Sequence, residues 1–314
     1  MDFDLSADQR LLLSGLNRML EPYRRAPAGA HGYVEYSLRL QDELDAGGFL
    51  DIAAQPDFGL LDACLLIEEV ASCAVCVEAA ASAMISPLLG RRAPPIALAW
   101  AVGRPARYLK QAKTVCLFQG GEVLVGAPSA DDMGEADGVV AYPLAILTRL
   151  PTEIERHTGA QADALRRRAL IGIAAEAAGV MRGALEQTVQ YVKDRRQFDR
   201  PLGDFQAIQH RLAEDAQLVH ACRSLALKAA FEDDDQHAAV ACLYAQDAIR
   251  KIIYDCHQFS GAMGLTLEYP LHLWTYRLKY LQGEAGGKAR QAQMLAESVW
   301  SCVQPPQTRA HVHA

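Results

Sequence analysis

Between residues 162 and 194 the apolar positions Leu170, Ile173, Ala174, Ala177, Met181, Leu185, Thr188 and Val192 recur at steps of three and four, the spacing of one buried helical face. At about 1.5 Å per residue that segment predicts a helix about 45 Å long. The same stripe returns in Phe205, Ile208, Leu212, Ala216, Val219, Cys222 and Ala226, with Pro201 and Gly203 breaking the chain in between. A helical hairpin is therefore predicted, its tip formed by Tyr191 to Gln206. Further helices are expected over 238–260 and 270–303, so that 151–303 reads as an antiparallel four-helix bundle.

Upstream, Ser6-Ala7-Asp8-Gln9 has the form of a capping box ahead of Leu12, Leu13, Leu16 and Leu20. The Gly-, Ala- and Pro-containing stretch 24–34 reads as a loop, and Tyr36 to Ala46 as a short helix closed by Gly47-Gly48. Leu60 to Met84 is apolar on most sides and reads as one buried helix. From Thr114 to Leu147, short β-favouring runs alternate with Gly, Pro and Asp. The expected layout is an N-terminal helical region (1–111), a short β-containing segment (112–150), the bundle (151–303) and a tail (304–314).

Composition narrows the function. A chain of 314 residues that is 51% hydrophobic has ample material for a core, and a net charge of −7 argues against nucleic acid as the main partner. The start Met1-Asp2-Phe3-Asp4 carries no charged-then-apolar leader, and no apolar run is long enough to span a bilayer. Eight cysteines scattered through helical segments of so large a chain read as reduced thiols, which places the chain in the cytoplasm. Cys73-Ala74-Val75-Cys76 has no second pair and reads as core packing inside a helix rather than a metal site.

Two stretches carry candidate chemistry. Arg195 and Arg196 stand at a helix end, where the macrodipole favours any cation; an arginine fork also matches a phosphate, and Phe198 beside it offers a flat apolar face. The second stretch, Gln258 to Pro270, sets Gly261 and Gly264 between two helices, which serves equally as a plain helix cap or as a place where a ligand approaches the backbone.

Together these stretches resemble a known signature. Tyr191, Arg195, Gln197, Phe198, Pro201 and Leu202, followed by Phe205, Gln206, His210, Leu212 and Ala213, and then by the Gln258 turn, resemble the acyl-CoA dehydrogenase family. Asp2 to Leu20 and Leu44 to Val70 look like that family's opening helices. The resemblance implies a mainly α acyl-CoA dehydrogenase-like fold, with FAD as cofactor and its pyrophosphate and adenosine end bound across a subunit interface by Arg195, Gln197, Phe198, Gln258 and Gly261, with Ala262 beside them. The sequence departs from the pattern at Asp199, where glycine is usual, at Ala262, which replaces a second glycine, and at Ser260 and Leu265.

The rest of the family's site is missing. Residues 112–150 hold neither of the strand motifs that in the family cradle the flavin ring and the thioester, and Gly126 to Asp131 reads as a loop. The reaction needs a carboxylate to remove the α-proton while the flavin accepts a hydride. The two family positions for that base fall on Ala169 and Ala285; Glu284, between glycines, lies one residue from register and reads either as that base or as a solvated loop residue. The resemblance therefore implies a subunit of an α₂β₂ acyl-CoA dehydrogenase acting on bulky, steroid-derived CoA thioesters, paired with a full-length homologue and reoxidised by an electron-transfer flavoprotein. Two alternatives stay open, a complete homo-oligomeric enzyme using Glu284 and a helical scaffold without FAD.

Overall fold

A computed structural model of the chain describes residues 4–27, 32–90 and 92–300. The residues Met1 to Phe3 of the start, part of the 24–34 loop and the tail from 304 lie outside these. Four N-terminal helices, α1 (Ala7–Leu20), α2 (Leu38–Ala46), α3 (Leu60–Ala71) and α4 (Ala80–Ile85), precede the strands. The capping box is present: Ser6 Oγ accepts from the Gln9 backbone N–H at 3.1 Å, and the Ser6 backbone N–H donates to Gln9 Oε1 at 3.0 Å.

The apolar run 60–84 is two helices, not one. Between them, Ser37 and Cys76 pair backbone to backbone at 3.2 Å, and the Cys76 amide donates to Glu35. Carbonyls freed by the break are taken up from far along the chain, Ser72 by Trp274 Nε1 at 2.9 Å, Ala71 and Cys73 by Arg277 at 3.2 and 2.6 Å. Cys73 and Cys76 thus lie in this link, not inside a helix; both are buried, and burial pushes their thiols up to about 11 and about 12. All seven described cysteines are free and buried, as core packing requires.

Strands occupy more of the chain than 112–150. β1 (Ile96–Ala99), β3 (Thr114–Gln119), β4 (Glu122–Gly126) and β7 (Ile154–His157) form one sheet in the order β1-β3-β4-β7, with β1 parallel to β3. β2 (Pro105–Arg107), β6 (Leu144–Leu147) and β5 (Met133–Glu135) form a second. Ala97, Ala99, Leu109, Val115, Leu117 and Leu147 make a satellite core for the sheets. The run Ile96–Ala99 is buried at every position, a pattern whose periodicity cannot separate strand from helix.

The bundle is built on α5 (Gly159–Asp194), 36 residues and therefore about 54 Å long. Around it pack α3, α6 (Gln206–Glu232), α7 (Asp235–Ser260) and α8 (His272–Leu281), while α9 (Gly287–Trp300) lies against α7. The expected fourth helix is split at 282–286, because Ala285, Gly286 and Gly287 all take left-handed backbone at φ 55°, 89° and 67°. Arg167 and Arg168 pair with Asp233 at 2.9 and 3.2 Å and tie α5 to the α6–α7 turn.

Candidate functional site

Helix α5 ends where Arg195 turns extended, and the Leu202 amide donates back to the Arg195 carbonyl at 2.8 Å. Two two-residue strands, β8 (Arg196–Gln197) and β9 (Arg200–Pro201), pair antiparallel and leave Phe198 and Asp199 as the loop. Both loop residues have positive φ, 54° and 63°, as a mirror-image hairpin turn requires. Aspartate tolerates this backbone, so the departure from glycine at 199 is compatible with the turn.

Phe198 is 84% exposed and stands T-shaped to Phe205 at 6.2 Å between ring centroids, the Phe205 ring being covered by the Arg200 guanidinium at 3.8 Å. Arg196 is spent locally on the Asp199 carbonyl, and Gln197 on the Arg196 carbonyl. The exposed Arg195 guanidinium has no hydrogen bond or ion pair among the described residues. Of the arginine pair, Arg195 is the one available to an anion.

The Gln258 turn begins where α7 stops. Gly261 takes φ 56°, ψ −143°, a conformation that is essentially closed to residues with a Cβ, and its amide donates to the His257 carbonyl. Gln258 and Gly261 line an open groove of about 830 Å³ with Tyr254, Arg250, Lys251 and Lys279. Lys251 is held by Asp215 at 2.7 Å and Asp255 at 2.8 Å. Burial lowers the pKa of His257 on the same wall, which favours its neutral form. Ala262 is exposed in the turn. Arg195, Gln197 and Phe198 do not line this groove, so the two motifs form separate surfaces of one chain.

Glu284 is not a solvated loop residue. It is 4% exposed, and its Oε1 accepts from Arg107 Nε at 3.1 Å, while Gln246 Nε2 donates to its carbonyl at 2.8 Å. The same arginine chelates Glu176 at 2.6 and 2.7 Å, and Tyr142 donates to Glu176 at 2.7 Å. Burial pushes the Glu284 carboxyl above its usual range against the pull of Arg107, with Glu176 adding to the rise. This cluster joins β2, α5 and the α8–α9 turn in the space between the sheets and the bundle.

Sequence reasoning missed Arg107, Glu176 and Tyr142. A signal existed for one of them, since Glu176 is the single charge in the buried run from Ala169 to Met181. A cavity lined by Glu176 is about 10 Å³, and one lined by Ala285, the neighbour of Glu284, is about 110 Å³. Each is smaller than the roughly 150 Å³ that accommodates one benzene ring. Among the described residues no group of His, Cys, Asp and Glu could hold a metal ion, and no helix is long and apolar enough to cross a membrane.

Comparison with known proteins identifies relatives and a shared fold. The model for "Acyl-CoA dehydrogenase, C-terminal domain" matches residues 166–300. Acyl-CoA dehydrogenase IpdE2 of Mycobacterium tuberculosis is 32% identical over 233 residues, 67% of this chain and 71% of that protein. Acyl-CoA dehydrogenase FadE34 of the same organism is 33% identical over 199 residues, 54% of this chain, and the match spans only 28% of FadE34. Among solved structures, a chain of the ChsE4-ChsE5 complex from Mycobacterium tuberculosis superposes with a TM-score of 0.78 at 18% identity, covering 97% of this chain and 100% of that one. A chain of the Tcur3481-Tcur3483 steroid ACAD gives 0.74 at 21% identity, covering 94% and 98%.

Proposed function

This chain belongs to the acyl-CoA dehydrogenase family, and from that membership we propose that it is one subunit of a heteromeric FAD-dependent enzyme, lending its exposed surfaces to a flavin held mainly by a full-length partner. The observation that carries the reading is the filled junction between sheets and bundle. Arg107, Glu176, Tyr142 and Glu284 occupy it, and the cavity lined by Glu176, about 10 Å³, and the one beside Ala285, about 110 Å³, are each too small for a three-ring flavin. The outward-facing groups are free by contrast: an unpaired Arg195 suits a pyrophosphate, the bare Phe198 ring suits a base, and the Gln258–Gly261 groove offers backbone and cations to the adenosine side.

FAD, when bound, supplies the hydride acceptor for α,β-dehydrogenation of an acyl-CoA. This chain's residues position its far end and exclude water there; the base belongs to the partner. Glu284 lines none of the cavities described above and is committed to Arg107, which weighs against a complete homo-oligomeric enzyme using it. A bulky, steroid-like acyl group as substrate is supported by the likeness to the steroid ACAD, and an electron-transfer flavoprotein is the expected reoxidant.

The test is to prepare the chain alone and with a co-expressed full-length homologue, then record mass and visible absorbance. Flavin held only by the mixed complex is the expected result. A yellow, active homo-oligomer would overturn the reading, and a colourless mixed complex would point to a scaffold without FAD.

A further inference from the structure

Where the N-terminal part of α5 meets α9, two chambers share Arg166, Leu170, Arg290 and Met294 as walls. The inner one, about 110 Å³, is closed by Ala285, Gln291 and the stacked rings of Trp100 and Phe118, 4.5 Å apart. The outer one, about 260 Å³, continues along Ala239 and Leu295 and also has Asp163, Asp235 and Glu297 in its lining, so the carboxylates near the two arginines belong to the outer chamber. Gln291 is fully buried, its Nε2 donates to the Ala285 carbonyl at 3.1 Å, and its Oε1 has no partner among the described residues. A buried acceptor left open is costly, and it faces a ligand or a water.

The inner lining carries two cations and, among the described residues, no carboxylate. Both cations are loosely held: Arg166 approaches Asp163 at 3.7 Å and Arg290 approaches Glu297 at 3.9 Å, ion pairs at the surface that contribute little and yield easily to a better acceptor. Trp100 Nε1, buried on the same wall, lies beside the Glu284 carboxyl rather than standing as a free donor.

We propose that these chambers bind a small carboxylic acid bearing a hydroxyl or amide N–H next to its carboxylate and a short apolar or aromatic body. The carboxylate lies between Arg166 and Arg290, the donor meets Gln291 Oε1, and the body fills the outer chamber against Leu170 and Met294. Among the described residues, the inner lining contains no carboxylate, histidine or cysteine that could attack or deprotonate the ligand. The site holds its ligand without turning it over, as an effector site does. This inference does not depend on how the chain shares a flavin.

Mandelate is a suitable probe and phenylacetate, which lacks the hydroxyl, its control; binding is followed by calorimetry on the full chain. Mandelate is expected to bind saturably and about tenfold more tightly than phenylacetate, the effect of one hydrogen bond to a buried acceptor. Gln291→Leu should abolish that preference while leaving phenylacetate affinity within about twofold, and Arg166→Met should weaken both acids about tenfold or more. If Gln291→Leu fails to retain the parent's helical circular dichroism, Gln291→Met takes its place. Absence of saturable mandelate binding would assign Gln291 Oε1 to a water and overturn the proposal. So would a preference that survives in the Gln291 variant, or sulfate binding as tightly as mandelate, which would mark a bare anion site.

Discussion

Arg107 and Glu176 form a two-point contact, the Nη1 of the arginine lying 2.6 and 2.7 Å from the two carboxylate oxygens, with both side chains at least nine-tenths buried. Glu284 draws on the same guanidinium, so one cation serves two buried carboxylates. Removing the cation strands both charges. Arg107→Met is expected to cost about 3–5 kcal/mol, the usual effect of breaking a buried pair from one side. Urea unfolding of the variant measures it; adding Glu176→Gln and Glu284→Gln to Arg107→Met should restore part of the loss, whereas a further loss on adding them would show that the charges are not what destabilises.

Glu284→Gln separates a clamp from a base. A group that removes the substrate proton contributes roughly 10²–10⁴-fold to turnover. Glu284 touches Arg107 and borders neither cavity of the junction, so the variant in the mixed complex is expected to keep turnover within about threefold of the parent. Steady-state rates decide it, and a drop of two orders of magnitude would return Glu284 to the catalytic centre.

At the hairpin tip stability and flavin retention should part company. Arg195 has no partner among the described residues, so Arg195→Ala should leave stability within about 0.5 kcal/mol. A hydrogen bond to a charged phosphate is worth about 1.5–3 kcal/mol, so the same variant should weaken flavin retention by the complex about tenfold to hundredfold. Equilibrium dialysis of flavin against the complex reads the second effect. Unchanged retention would remove the tip from the pyrophosphate site.

Much of this was legible in the sequence because the long helices carry their own periodicity and the tip its own turn residues. Leu170 through Val192 announce α5, and Pro201 with Gly203 announce its end. What failed to show depends on partners distant in sequence. The link between α3 and α4 contains no proline or glycine; it persists because Trp274 and Arg277, some two hundred residues later, satisfy its carbonyls. Burial of Glu284 could not be read from a glycine-flanked turn for the same reason, since it is set by an arginine at the end of a three-residue strand.

The acidic pair beneath the Gln258 groove makes a pH-dependent prediction. Asp215 and Asp255 are both buried and share Lys251; Glu214 approaches the same ammonium at 3.4 Å, and Arg211 binds Asp255. Burial pushes Asp215 up to about 6, Lys251 opposing and Asp255 reinforcing the rise, whereas Lys251 and Arg211 outweigh burial at Asp255 and hold it below its usual value. An unfolded aspartate titrates near 3.9, so between about pH 6 and 4 the folded chain binds the Asp215 proton more tightly than the unfolded chain does. Stability from this group is therefore gained as pH falls through 6, while that from Asp255 is lost only below about 3.9. The parent should gain about 1 kcal/mol relative to Asp215→Asn between pH 7.5 and 5, a figure reduced for partial solvent screening. Urea unfolding of both proteins at the two pH values measures the difference, and a gap that does not change with pH would mean that Asp215 titrates as an ordinary aspartate.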